Sequence, residues 1–146
     1  MAGCNVFNQE HQMLLVHFFG EVTASDLELQ AVSVFSHPDF SASTKELINF
    51  SDVESFAADV DMERLAAIVK INKDQLERYP ELKIAILAPD PLSFNLARIY
   101  QEKSRDHQRQ GKIKIFTSKS EAVQWLGGKG RQWDLLIERV STMCTI

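Results

Sequence analysis

The sequence contains no hydrophobic run long enough to cross a membrane. Its longest apolar run near the N-terminus, Met13 to Phe19, is interrupted by His17 and is far shorter than the roughly 20 residues that span a bilayer. No basic segment precedes this run, so the pattern is not that of a signal peptide. We therefore expect a cytoplasmic protein with no transmembrane segment.

Cysteine is scarce, and positive charge is not in excess. The two cysteines, Cys4 and Cys144, lack CxxC or Cys/His spacing, which argues against a zinc site or a redox pair. We expect free thiols, with a bond between the two termini as the alternative. The chain has 16 Lys and Arg against 20 Asp and Glu, and this acidic balance argues against nucleic-acid binding.

Catalytic motifs are also missing. The four histidines have no metal-ligand spacing, and no G-x-S-x-G loop offers a nucleophile. We therefore predict no catalytic residue, no metal and no cofactor. The enzyme alternative requires Asp52, Asp90 and Arg98 to converge in a concave site with perturbed acidity.

The 146 residues, 45% of them hydrophobic, have the length and composition of one globular domain. The clearest pattern lies between Leu82 and Gly128, where an apolar strand, a helix, a second strand and a short helix alternate. Such alternation predicts crossover units and a largely parallel sheet. The remaining predictions are strands at Asn5–Phe7, Met13–Phe19 and Leu47–Phe50, and helices from Thr23 or Ser25 to His37 and from Asp61 to Tyr79.

The predicted fold is therefore α/β, with a mixed sheet of about five strands that begins with an antiparallel hairpin. We assign this domain to residues 1–128. Residues 129–146 form a predicted amphipathic helix that places Trp133 on its apolar face. This face requires cover from its own domain or from a second copy, and we predict a homodimer.

Two segments resemble the SpoIIAA-like family of the STAS superfamily. One is FNLARIY, Phe94 to Tyr100, after an APDP break that follows a buried strand; the other is IKIFTSKSEAVQWL, from Ile113 to Leu126. The likeness covers about residues 5 to 127. It implies a mixed sheet with helices mainly on one face, used for binding or regulation without a cofactor.

The sequence departs from that family at one turn. Anti-sigma-factor antagonists of the superfamily carry an Asp-Ser-Ser-Gly-like turn, whose serine a partner kinase phosphorylates. The matching segment here is Asp59-Val60-Asp61-Met62, which has no hydroxyl group. Asp61 is either a helix N-terminal acid, which we favour, or a fixed negative charge at this turn.

Six residues are candidates for binding a ligand or a partner: Asp52, Asn72, Asp90, Ser93, Arg98 and Tyr100. Asp90 and Ser93 follow a strand at the sheet edge where ligands often bind, although they equally suit a helix cap. Arg98 is a donor for an anionic group, and Tyr100 an amphipathic wall. Asn72 interrupts the apolar stripe of a helix. It is either a buried amide that fixes the register of this helix or an amide that is hydrogen-bonded to the backbone.

The basic run from Lys103 to Lys114, which includes His107 and Arg109, offers peripheral contact with an acidic membrane. A solvated helix end explains it better. Together these observations predict a non-catalytic STAS-like regulatory domain that binds a protein partner or a small amphipathic or anionic ligand. A lipid or hydrophobic-ligand carrier is the alternative, suggested by nine phenylalanines that would also fill an ordinary core.

Overall fold

The fold comes from a computed structural model that describes residues 2–105 and 112–144, without the side chains of residues 74–76 and 144. The described elements are β1 (Gly3–Asn8), β2 (Met13–Val22), α1 (Ala24–Phe35), β3 (Lys45–Phe56), α2 (Met62–Arg78), β4 (Lys83–Leu87), α3 (Pro91–Lys103), β5 (Ile113–Phe116), α4 (Lys119–Trp125) and α5 (Gly130–Cys144).

The strands form one five-stranded sheet in the order β1-β2-β3-β4-β5. β1 pairs with β2 antiparallel, and every later pair is parallel. Parallel neighbours need a crossover, which α1, α2 and α3 supply in turn. This arrangement confirms the predicted α/β class and the predicted N-terminal hairpin.

The alternation of side chains along the strands creates a core on each face of the sheet. In β4, Ile84 and Ile86 belong to the cluster that includes α1, α2 and α3. Ala85 and Leu87 belong to the opposite cluster, which includes α4 and α5. The three crossover helices thus share one face, and because both faces are covered the central strands are apolar on both sides.

α5 packs on the sheet of its own chain. Trp133 is 1% exposed and is the largest fully buried side chain in the described residues. It joins Leu136 and Val140 of the same helix in the cluster with β1 and β2. The apolar face of α5 therefore does not require a second copy for cover, and the homodimer stays a prediction without that reason.

Two strands extend further than predicted. Gly20 does not end β2: it adopts a positive φ of 65° and the strand continues to Val22. Likewise Ser51 and Asp52 do not end β3, which continues to Phe56. β3 remains a strand at these polar positions because it continues to pair with β2, with register shifts after His17 and Gly20.

The expectation of free thiols is wrong for Cys4, which is disulfide-bonded. The side chain of Cys144 lies outside the described residues. The contact between α5 and β1 is tertiary, and it brings the last helix next to the first strand. Linear separation of the two cysteines gave no sign of this contact.

Candidate functional site

A cavity of about 80 Å³ lies between the sheet and the three crossover helices. Aliphatic and aromatic side chains form most of its wall, with contributions from β2, β3, β4, α1, α2 and α3. Among the described residues, four lining side chains are polar: Gln30, Glu46, Asn72 and Tyr100. Gln30 already accepts a hydrogen bond from Asn5 Nδ2 at 2.7 Å, so the other three define the chemistry of the cavity.

Glu46 projects from β3 into this apolar layer. It shares its face of the strand with Ile48 and Phe50, which also line the cavity, because alternate residues of a strand face the same side. Glu46 is 4% exposed, and its Oε1 has no hydrogen-bond partner among the described residues. Burial raises the pKa of Glu46 to about 8, so the carboxyl group is mostly neutral at pH 7.

Asn72 and Tyr100 meet at the same cavity. Asn72 of α2 is 7% exposed, and its Nδ2 donates to the Tyr100 hydroxyl of α3 at 2.7 Å. The amide thus bonds to a side chain and not to the backbone, the alternative that the sequence left open. Burial raises the pKa of Tyr100 to about 12, although the hydrogen bond from Asn72 offsets part of that rise.

The amide oxygen of Asn72 is also without a partner in the described part of the chain. Glu46 and Asn72, each with one buried oxygen that has no partner among the described residues, therefore both belong to the wall of a mostly apolar cavity. Each such buried group costs roughly 1–3 kcal/mol of stability. Buried polar groups are nearly always hydrogen-bonded. A polar group that enters the cavity could supply the missing hydrogen bonds.

Asp90 and Ser93 form the N-terminal cap of α3. The Asp90 Oδ1 accepts from the Ser93 backbone N–H at 2.9 Å, and Pro91 follows in the first turn. The Ser93 side chain is buried, and its Oγ has no partner within the described residues. Capping by Asp90 places a carboxylate where an anion would dock, which favours the helix-cap interpretation.

Asp52 lies on β3 beside His17 of β2. The Asp52 Oδ2 is 3.4 Å from His17 Nε2, and the Asn49 Nδ2 is 3.3 Å from His17 Nδ1. His17 is buried whereas Asp52 is 62% exposed. Burial lowers the pKa of His17, and the charge of Asp52 opposes this effect. The sequence indicated no partner for His17 because the pairing register, in which it faces Asn49, is tertiary.

Arg98 is exposed on α3. Within the described ranges, no hydrogen bond or ion pair joins Asp52, Asp90 or Arg98 to another member of that set. The enzyme alternative required these three to converge. Asp52 instead lies beside His17, and Asp90 caps α3 through the Ser93 backbone N–H. Of the six candidates, hydrogen bonds among the described residues join two pairs: Asn72 with Tyr100 through their side chains, and Asp90 with the backbone N–H of Ser93 in the cap of α3.

Glu46 was missed in the sequence because we began the third strand at Leu47. A signal was present: in KELINF, the residues Glu46, Ile48 and Phe50 alternate on one face. A carboxylate in phase with two large apolar residues indicates an inward-facing charge when both faces of the strand are buried. That second condition is visible only in the sheet.

Both acids of the turn before α2 act as caps. The Asp61 Oδ1 accepts from the Arg64 backbone N–H at 2.8 Å. The Asp59 Oδ1 accepts from the Ala24 backbone N–H, at the start of α1, at 3.1 Å. These bonds support the helix N-terminal interpretation of Asp61.

No helix in the described ranges is both long enough and apolar enough to span a membrane. Residues 106–111, the middle of the basic run and the site of His107 and Arg109, lie outside the described residues. The flanking residues pair with acids: Arg105 with Glu102, and Lys112 with Glu81. These pairs reduce the positive charge available to an acidic membrane.

No protein-family model matches the chain. No curated protein matches it. Among solved structures, an uncharacterized protein of the DUF3478 family with a SpoIIAA-like fold, from Shewanella loihica PV-4, is similar at TM-score 0.49 and 17% identity, covering 86% of this chain and 92% of that one. The anti-sigma factor antagonist SpoIIAA in its unphosphorylated form is similar at TM-score 0.53 and 14% identity, covering 87% of this chain and 99% of SpoIIAA. The chain has a SpoIIAA-like fold.

Proposed function

We propose that this protein is a non-catalytic binding domain with a regulatory role, and that it takes up a small amphipathic molecule in the cavity between the sheet and α1, α2 and α3. The supporting observation is that Glu46 and Asn72, whose Oε1 and Oδ1 have no partner among the described residues, belong to a wall that is mostly aliphatic and aromatic. Apolar pockets with a few convergent polar groups are the usual form of small-molecule sites.

The size of the cavity limits the ligand. At about 80 Å³ it is smaller than the roughly 150 Å³ cavity that accommodates a benzene ring. A long acyl chain would have to separate the helices from the sheet, which argues against the lipid-carrier alternative. We infer a ligand with a short apolar body and one polar group.

The first test uses isobutanol, which has a short branched body and a single hydroxyl. Its five non-hydrogen atoms, at no more than about 1.5 kcal/mol each, limit the affinity to the micromolar range or weaker. Titration into the ¹⁵N-labelled full chain should therefore shift, in fast exchange, the amide signals of cavity-lining residues. An absence of saturable shifts at these residues would refute the proposed function.

A cavity-filling variant makes this test specific. Ala97 is 1% exposed and lines the cavity, so Ala97→Leu should occupy the space and abolish the isobutanol shifts. Ala67→Leu, at an exposed position of α2, is the matched control and should bind like the wild type. If Ala97→Leu is overpacked and fails to fold, Ala31→Leu, at a partly exposed lining position, replaces it. Unchanged binding in a folded cavity variant would contradict the assignment.

A protein partner is the second candidate. It is supported by the SpoIIAA-like fold, since SpoIIAA is itself an anti-sigma factor antagonist. Leu29 and Val32 lie three residues apart on α1 and are 52% and 56% exposed. These apolar side chains are therefore accessible to a protein partner. Native mass spectrometry of the protein from its source separates the candidates: a bound mass near that of a small molecule such as isobutanol supports the cavity, and a protein-sized mass supports a partner.

Three expectations from the sequence remain untested: a homodimer, the less favoured membrane contact and a cytoplasmic location. Homodimer formation is tested by light scattering of the full chain. Peripheral membrane contact predicts salt-sensitive sedimentation with acidic liposomes. The disulfide of Cys4 counts against the expected cytoplasmic location, because disulfides persist mainly in oxidising compartments.

A further inference from the structure

The two unpartnered atoms of the cavity share one chemical property. Glu46 Oε1, when ionised, and Asn72 Oδ1 are both hydrogen-bond acceptors, and neither has a donor among the described residues. The amide nitrogen of Asn72 is already used on Tyr100. A ligand head group that completes both atoms must therefore carry at least two protons. A hydroxyl group carries one, and a primary ammonium group carries three.

The charges around the cavity point in the same direction. The ionisable groups in its wall are Glu46 from β3 and Tyr100 from α3, and β2, β4, α1 and α2 contribute none. No Lys, Arg or His side chain in the described part of the chain lines it. An anionic head group would find no counter-charge there and would oppose ionisation of Glu46. A cationic head group would find an acid with no competing cation.

Glu46 also has no evident structural use. Its neighbours on the same strand face, Ile48 and Phe50, are apolar, and an aliphatic residue at position 46 would fill the layer without an unpaired oxygen. A carboxyl group kept in a core at a cost in stability is a candidate for function.

We propose that the cavity binds a small primary amine, whose ammonium group donates to Glu46 Oε1 and Asn72 Oδ1 while its short apolar body contacts the surrounding side chains. This inference rests on the proposed function and names its ligand class. Near neutral pH the free protein holds a proton on Glu46, and the amine arrives already protonated. Binding leaves the carboxylate paired with the ammonium group, and the proton of Glu46 passes to solvent.

The experiment compares three probes of nearly the same shape: isobutylamine, isobutanol and isobutyrate. We expect isobutylamine to bind the full chain about tenfold more tightly than isobutanol at pH 7.5, because hydrogen bonds to a charged group are the stronger ones. Isobutyrate should bind more weakly than isobutanol. Because binding requires Glu46 to lose its proton, the amine affinity should rise about tenfold from pH 6 to pH 7.

The variant Glu46→Gln keeps the size of the side chain and removes its charge. It should lose the preference for the amine over isobutanol, and circular dichroism verifies that the variant is folded. Glu54→Gln, at an exposed position on the same strand, is the matched control and should keep the preference. If isobutanol binds and isobutylamine has no advantage, or keeps its advantage in Glu46→Gln, the amine inference fails and the proposed function stands. If no probe binds, both fail.

A second measurement does not depend on any variant. Isothermal titration of isobutylamine in phosphate and in Tris at pH 7 should give enthalpies that differ by the release of about one proton per molecule bound. Release of no proton would overturn the role of Glu46 even if the variant failed to fold.

Discussion

Glu46 is the residue at which strand pattern and core packing conflict. Its alternation with Ile48 and Phe50 directs it inward, and burial there makes ionisation expensive. The raised pKa has a consequence for folding, because the unfolded chain loses this proton near the ordinary value of 4.5 while the folded protein keeps it up to about 8. The folded state therefore binds more protons in that window, and stability falls as pH rises through it.

We predict that Glu46→Gln becomes progressively more stable than the wild type as pH increases. Between pH 5 and pH 7.5 the difference in the free energy of unfolding should grow by roughly 3 kcal/mol, at 1.36 kcal/mol per pKa unit. Urea unfolding at several pH values measures it. Glu54→Gln should show no such growth. Parallel pH profiles for wild type and Glu46→Gln would mean that Glu46 is not buried in the folded protein.

At the scale of the element, helix α1 shows how much of a helix N-terminus the local sequence predicts. Its N-terminus has a capping box: Asp26 N–H donates to Thr23 Oγ1 at 3.1 Å, and Thr23 N–H donates to Asp26 Oδ2 at 2.9 Å. The sequence offered Thr23 or Ser25 as the cap. The capping box, in which the acid lies three residues after the cap, selects Thr23.

We expect Thr23→Ala to destabilise the protein by about 1 kcal/mol, since it removes the acceptor for an otherwise unpaired helix N–H. Ser25→Ala, at an exposed position two residues later, is the control and should change stability by less than about 0.5 kcal/mol. Both are compared by thermal unfolding. Equal effects of the two changes would show that the cap of α1 is misassigned.

At the scale of the molecule, the sheet has separate cores on its two faces. The cavity belongs to the face covered by α1, α2 and α3, and Trp133 belongs to the opposite face. The proposed ligand site and the packing of α5 are thus on different sides of the sheet. The assignment of residues 129–146 to a separate helical unit stays a prediction that the stability of Trp133 variants tests.

Trp133→Ala should cost about 3–5 kcal/mol, because it removes the largest buried side chain in the described residues and leaves a cavity under α5. Leu135→Ala, which removes a side chain that is 50% exposed on the same helix, is the control and should cost far less. Circular dichroism during urea unfolding measures both without relying on the missing tryptophan. Similar costs would indicate that α5 does not pack on the sheet.

The sequence by itself determined the order of strands and helices, the hairpin and the mostly parallel sheet. Apolar periodicity and helix caps are local signals, so they are readable without tertiary information. It also marked Asn72, because that residue is a polar interruption of an apolar helix stripe. Tyr100 was marked because it lies in the segment that resembles the SpoIIAA-like family. The full lengths of β2 and β3 were not readable, since pairing between strands carried them past Gly20 and Asp52.

Only the tertiary structure decided which polar groups meet. Asn72 and Tyr100 are 28 residues apart in sequence, and the crossing of α2 and α3 brings them within hydrogen-bond distance. The same packing encloses Glu46 and leaves its oxygen without a partner among the described residues. Strand and helix periods specify which face a residue occupies, whereas the register between elements specifies what lies opposite it. The candidate site depends on the second kind of information.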